Sequence, residues 1–162
     1  MVMQALENKA ILNKTAFYPQ SGGQPSDTGI LEHDSEIFQV VGAEKAEVEI
    51  VHILDRPGLK PGDMVSGKID GDRRYRFMRS HTACHILSAV IFQETGAKIT
   101  GNQIEQSRSR VDFSLESFDK SRMIEYVEKA NQIVSDRRPV STRIISREEA
   151  LALPDLLRLA MA

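Results

Sequence analysis

The sequence predicts an α+β fold: a small β-barrel-like N-terminal subdomain, followed by an α+β domain with a long histidine-bearing helix. Three observations carry that prediction. Strand-length runs of β-branched and aromatic residues occupy residues 8–70. Helical periodicity then takes over after Asp70 and returns over 119–136. Between such runs stand clusters of Gly, Pro, Ser and Asp, the residues that punctuate regular structure. Strands grouped ahead of helices, without strict alternation, argue for α+β.

Taken in order, NKAILN (8–13) is a short strand that runs into TAFYPQSGGQPSDTG (15–29), a stretch of turns. GILE, EIFQVVG (36–42) and EVEIVHIL (47–54) have strand composition, and in the last of these Val48 and Ile50 alternate with Glu47 and Glu49. DRPGLKPGD (55–63) connects to a further strand, MVSGKID (64–70). A small antiparallel sheet or open barrel accounts for this half. Asp72 is then read as the N-cap, and Gly96 as the stop, of a helix whose apolar face includes Phe77, Ile86, Leu87, Val90 and Ile91. RSRVDFSL (108–115) alternates as a strand. Residues 119–136 form a helix capped by Asp119, with Met123, Val127, Ala130 and Val134 at helical spacing. PVSTRIIS (139–146) reads as a strand, and Ser146 with Glu149 as a capping box for a last short helix. The domain boundary is expected near residue 70, giving 1–70 and 71–162.

With 162 residues the chain is long enough for a real core, and a net charge of −2 excludes a protein basic all over. Any nucleic-acid contact must come from local clustering. A lone cysteine, Cys84, rules out an internal disulfide and fits a reducing compartment, so the expected location is cytoplasmic. No apolar run approaches the roughly 20 residues that a membrane helix needs.

The chemistry concentrates in RRYRFMRSHTACHILSAVIFQETG (73–96). His81 and His85, four apart, share one face of a helix. They are either half of a metal site or two hydrogen-bonded histidines near a core. Cys84 lies about 100° around the axis from His85, which suits a shared ion poorly. His33 and His52 cannot be placed from spacing. A protease of the H-E-x-x-H type is excluded, because Thr82 stands where the general base would be. Arg73, Arg74, Arg76 and Arg79 crowd the helix start. They are a solvated basic face or a contact for a polyanion.

Three ordered motifs, TAFYPQSGGQPSDTG, then RSHTACHILSAV, then TGNQ with SRVDFSL, resemble the editing domain of alanyl-tRNA synthetase and its free-standing AlaX-type relatives. The resemblance spans most of residues 8–160. It implies hydrolysis of the ester in mischarged tRNA(Ala), chiefly Ser-tRNA(Ala) and in some cases Gly-tRNA(Ala). It implies zinc held by His81, His85 and a C-x-x-x-H pair further along. Thr100 falls where the family has a hydroxyl residue in the amino-acid pocket, with Asn102 and Gln103 beside it and Gly22, Gly23 and Gln24 in the glycine-rich segment. The four arginines become candidates for tRNA phosphates. No cysteine follows Cys84 and no histidine follows His85, so the chain is read as ending before the second ligand pair. Its start is also read as clipped, a strand being expected ahead of NKAILN. A missing end would expose an edge strand and favour a homodimer. A catalytically silent tRNA-binding module is the other reading, separated from the enzyme by metal stoichiometry.

Overall fold

The structure, a computed structural model, describes residues 1–153; the end of the predicted 71–162 domain lies outside the described residues. The chain divides into two compact units. The first is Met1–Arg79 with Ile104–Arg108, and the second is Ser80–Gln103 with Ser109 onward. The division falls within a continuous helix.

In the first unit, β1 (Val2–Leu6), β2 (Lys9–Leu12), β3 (Gly29–His33), β4 (Glu36–Ala46), β5 (Glu49–Leu54) and β6 (Ser66–Ile69) form one antiparallel sheet. Its order is β1-β2-β5-β4-β3-β6. The sheet curls until β1 meets the segment before β6, where the Val2 N–H donates to the Asp63 carbonyl (2.8 Å) and the Gly62 N–H to Val2 (2.9 Å). A strand therefore does precede NKAILN, formed by MVMQAL. Three two-residue hairpins join the strands, and Glu7, Asp34 and Glu47 open them at φ 51°. That positive φ matches the hairpin to the twist of its strands. It also corrects the expected start of β5: Val48 is a turn residue, 93% exposed, while Ile50, His52 and Leu54 form the inward row. His33 ends β3 and is not in a turn. Phe17, Leu31, Phe38, Val40 and Leu54 fill the interior.

Three polar side chains of this unit, Gln24, Asp27 and His52, are also buried. His52 is 0% exposed. Its Nδ1 lies 3.1 Å from the Ala10 carbonyl and its Nε2 lies 2.7 Å from Thr15 Oγ1. A carbonyl only accepts, so Nδ1 carries the proton and Nε2 accepts from the threonine hydroxyl. Burial holds the imidazolium below its ordinary range, against the opposing pull of the Ala10 carbonyl. The native state therefore keeps His52 neutral, whereas the unfolded chain takes up a proton near pH 6.5. This contribution to stability is whole above about pH 6.5 and falls as pH drops toward the depressed native value. The half-buried His33, raised chiefly by the Met64 carbonyl, works in the opposite sense. Urea midpoints from pH 7.5 to 5.5 for the wild type and His52→Gln isolate the term: the wild type loses stability more steeply on acidification.

α1 (Gly71–Thr95) starts slightly earlier than the sequence suggests. Asp70, not Asp72, is its cap, since the Asp70 carboxylate accepts the Arg73 N–H at 3.0 Å. Asp72 sits within the first turn. Gly96 ends the helix at φ 73°, its N–H returning to the Phe92 carbonyl at 2.7 Å.

The second unit contains the later turns of α1, β7 (Ile99–Ile104) as far as Gln103, its partner β8 (Ser109–Phe113), α2 (Lys120–Ser135) and α3 (Arg147–Ala152). β7 was not expected. Asp119 caps α2 by accepting the Ser121 and Arg122 N–H groups. The inward stripe of α2 is Met123, Tyr126, Ala130 and Ile133, packed with Val90 and Ile91. Of the four residues expected on this stripe, Met123 and Ala130 do face inward, whereas Val127 and Val134 face outward at 43% and 54% exposure and Tyr126 and Ile133 take their places. Ser146 accepts the Glu149 N–H at the start of α3, as predicted. PVSTRIIS is not a strand. It has no ladder partner among the described residues, and its Val140 and Ile144 are exposed.

Candidate functional site

His81 and His85 project from consecutive turns of α1 with their rings stacked, 11° from parallel and 5.0 Å between centroids. His81 is half-buried and His85 exposed. Desolvation, and secondarily the neighbouring His85, lower the His81 pKa, which favours the neutral imidazole that a metal ion requires. The pair therefore offers two nitrogen donors of the kind zinc takes. Cys84 turns elsewhere: its thiol bonds the Ser109 side chain, and burial raises its pKa. Among the described residues, no group of three His, Cys, Asp or Glu side chains converges as a metal site. His81 and His85 are half of a tetrahedral donor set. His52 has both ring nitrogens engaged within the first unit, and His33 is held at the Met64 carbonyl.

Thr100, Asn102 and Gln103 all lie on β7. Strand alternation puts Thr100 and Asn102 on one face and Gln103 on the other. Thr100 and Gln103 are exposed and Asn102 is half-buried. Gly101 between them allows a close approach, since a Cβ there would stand 2.9 Å from Asp112 Oδ2.

The glycine-rich segment belongs to the first unit. Gly22 and Gly23 take φ 58° and 77°, closing a tight turn between Ser21 and Gln24, which bond each other's main chain. Only glycine adopts this pair of angles cheaply. The Gly23 carbonyl accepts the Ile104 N–H at 2.8 Å, and Gln24 is buried.

The four arginines divide. Arg74 reaches back to the Asp27 carboxylate and to the Ala16 carbonyl at 2.6 Å. Arg73 donates to the Ser26 carbonyl and lies over the Phe77 ring. Arg76 and Arg79 are exposed, Arg79 beside the Tyr75 ring.

Comparison with known proteins sets these features in a lineage. The profile of a family described as "tRNA synthetases class II (A)" matches residues 1–73. The chain is 50% identical over 148 residues to the "Alanyl-tRNA editing protein AlaX-M" of Methanosarcina acetivorans, an alignment covering 86% of this chain and 60% of that protein. It belongs to the AlaX-type editing family.

The AlaX-M protein of Saccharolobus solfataricus is 41% identical, with 94% of this chain and 65% of that protein aligned. The "Alanine--tRNA ligase" of Sulfurisphaera tokodaii is 38% identical over 92% of this chain, and there the match covers 17% of the relative. The chain thus spans about 60% of the AlaX-M relatives from Methanosarcina. Within this AlaX-type sequence, two pairs went unread in the motif. Asp27 of the D-T-G end, 1% exposed, is the partner of Arg74, and Thr15 of the T-A-F-Y start is the partner of His52. The available signal was one acid inside a turn segment of small residues, followed by an arginine one turn into a helix.

Proposed function

We propose that the chain takes part in trans-editing, hydrolysing the ester of mischarged Ser-tRNA(Ala), and of Gly-tRNA(Ala) in addition, while sparing Ala-tRNA(Ala). The observation that carries this reading is the stacked His81–His85 pair in a chain half identical to alanyl-tRNA editing proteins. His81 and His85 would hold zinc, which when bound supplies Lewis acidity toward an ester carbonyl. The chain's own residues supply selection. A hydroxyl-bearing substrate is best distinguished from alanine by a site that hydrogen-bonds the hydroxyl, because an apolar pocket discriminates weakly. Thr100 and Asn102, on one face of β7, are the side chains for that bond. Arg76 and Arg79 would meet tRNA phosphates, whereas Arg73 and Arg74 secure the helix start. Editing of this kind belongs in the cytoplasm, and no helix among the described residues is long and apolar enough to cross a membrane.

The test is deacylation of Ser-tRNA(Ala) against Ala-tRNA(Ala) with zinc supplied. Selective hydrolysis is expected, and His81→Ala lowers it at least about 100-fold, since loss even of groups supporting a ligand costs 10–100-fold. Equal rates for the wild type and His81→Ala would sink the role of the pair. A second reading, a tRNA-binding module without chemistry, draws on the half-complete donor set. It predicts no zinc at equilibrium and tRNA affinity unchanged in His81→Ala.

A further inference from the structure

Within the second unit, the end of α1, the segment after β8 and the first turns of α2 line a cavity of about 450 Å³. That is the size of an ordinary small-molecule site. Its Glu94 wall stands about 13 Å along α1 from His85, at about 1.5 Å per residue. The cavity is therefore separate from the histidine pair.

One lining residue is out of keeping with the core around it. Tyr126 is 3% exposed and packs with Val90, Ile91 and Ala97. Among the described residues its hydroxyl has no hydrogen-bond partner, whereas a buried tyrosine hydroxyl ordinarily has one. Lys129 locates that oxygen. The Lys129 pKa is raised first by its bond to Glu94 and least by Tyr126, so the hydroxyl lies toward the Glu94 side of the cavity.

Two charged groups of the lining are also uncommitted. Glu94 is paired with Lys129, and Asp119 accepts the Ser121 and Arg122 N–H groups. Glu116 and the Arg122 guanidinium are exposed, and neither has an ion pair among the described residues. The guanidinium lies 5.8 Å from the centre of the Tyr126 ring. The last carbonyls of α1, at Glu94 and Thr95, add partial negative charge, because helix-end carbonyls have no intrahelical partner. Leu115 and Met123 add apolar surface.

We propose that this cavity binds a free α-amino acid whose side chain carries a hydroxyl or an amide. Arg122 takes the carboxylate, for which a guanidinium is the best-matched donor. Glu116 and the end of α1 take the ammonium, and the Tyr126 hydroxyl bonds the polar end of the side chain. A ligand of one charge would leave the other of the two free charges unanswered, whereas a zwitterion answers both. Hydrolysis of Ser-tRNA(Ala) would release an amino acid of this class. The cavity is nevertheless argued from its own residues, and its test reads binding and not deacylation.

The whole chain is titrated with L-serine and L-glutamine, a short and a long member of the class, and amide chemical shifts are followed. Saturable shifts at Gly96, Ser117 and Tyr126 are expected with at least one of them. Ethanolamine lacks the carboxylate and propionate lacks the ammonium. Each is expected to bind at least about tenfold more weakly, since a charge-assisted bond is lost. Arg122→Met and Glu116→Gln, both at exposed positions, are expected to weaken amino-acid binding by the same factor. Tyr126→Phe is expected to weaken it about 2–10-fold, the worth of one neutral hydrogen bond, with the urea midpoint unchanged or raised. A lowered midpoint would show the hydroxyl bonded inside the fold and overturns its part in the site. No saturable shift with either amino acid at millimolar concentrations overturns the site as a whole. Binding of ethanolamine or propionate as tight as that of the amino acids overturns the zwitterion and makes the cavity a site for a single charge.

Discussion

Arg74→Met is expected to destabilise the first unit by about 3–5 kcal/mol, the usual cost of leaving one member of a buried ion pair alone. The guanidinium of Arg74 pairs with Asp27, which is 1% exposed and also accepts the Tyr18 N–H at 2.7 Å. Its hydrogen bonds to Asp27 raise the Arg74 pKa, so the charge stays on the arginine throughout the accessible pH range. Methionine keeps the aliphatic stem and removes the partner. The Asp27 carboxylate then stays buried with one main-chain donor. Adding Asp27→Asn to Arg74→Met removes the stranded charge, so the double variant is expected to be more stable than Arg74→Met alone. Urea denaturation of the four proteins gives the coupling directly. Strict additivity would show that Arg74 contributes through packing and not through its charge.

Phe38→Ala is the second large effect, also about 3–5 kcal/mol, as for other buried aromatic truncations. Phe38 is 0% exposed and lies in the centre of the curled sheet. Its ring also supports groups outside that core. Arg56 sits over one face at 4.2 Å from the centroid. Gly58 passes so closely that a Cβ there would stand 2.9 Å from the ring. Truncation therefore opens a cavity and removes the surface on which the 55–63 connector rests. A fall in thermal midpoint is expected, with faster amide exchange in β3 and β4. A loss below about 1 kcal/mol would mean that the connector collapses into the space. Because a domain's whole stability is about 5–15 kcal/mol, either substitution consumes a large share of it.

The parts of this molecule that were legible in the sequence are those in which one local signal decides the outcome. Glycine closes α1 at Gly96, Asp119 and Ser146 cap the helices that follow, and the His81–His85 spacing dictates a shared face. The β-rich first half followed from composition and turn residues. The unread parts depend on distant partners. β7, ITGNQI, has polar residues and glycine between its two isoleucines, and becomes a strand because β8 pairs with it. PVSTRIIS has the better strand composition and no ladder partner among the described residues. α2 carries apolar residues on more than one face, so only packing with Val90 and Ile91 fixes which face turns inward. Asp27 and Arg74 are 47 residues apart, beyond the reach of any periodicity argument. At the candidate site the histidines were legible, while the placement of Thr100 and Asn102 together, opposite Gln103, depended on recognising β7.

The segment between α2 and α3 has a practical consequence. Residues 137–146 form neither helix nor ladder, and Arg137, Arg138 and Arg143 within them are exposed. A protease needs several residues of backbone in extended form, which a helix or a sheet withholds and such a connector presents. Among the described residues, brief trypsin treatment is therefore expected to cut first after Arg137 and Arg143, the Arg138–Pro139 bond being resistant, and to release a fragment that retains both the curled sheet and the histidine pair. Mass spectrometry of the early products reads the cut positions, and first cuts within α1 would contradict this order of accessibility. In preparations kept for functional work the integrity of this stretch is a quality check that can be made on any gel.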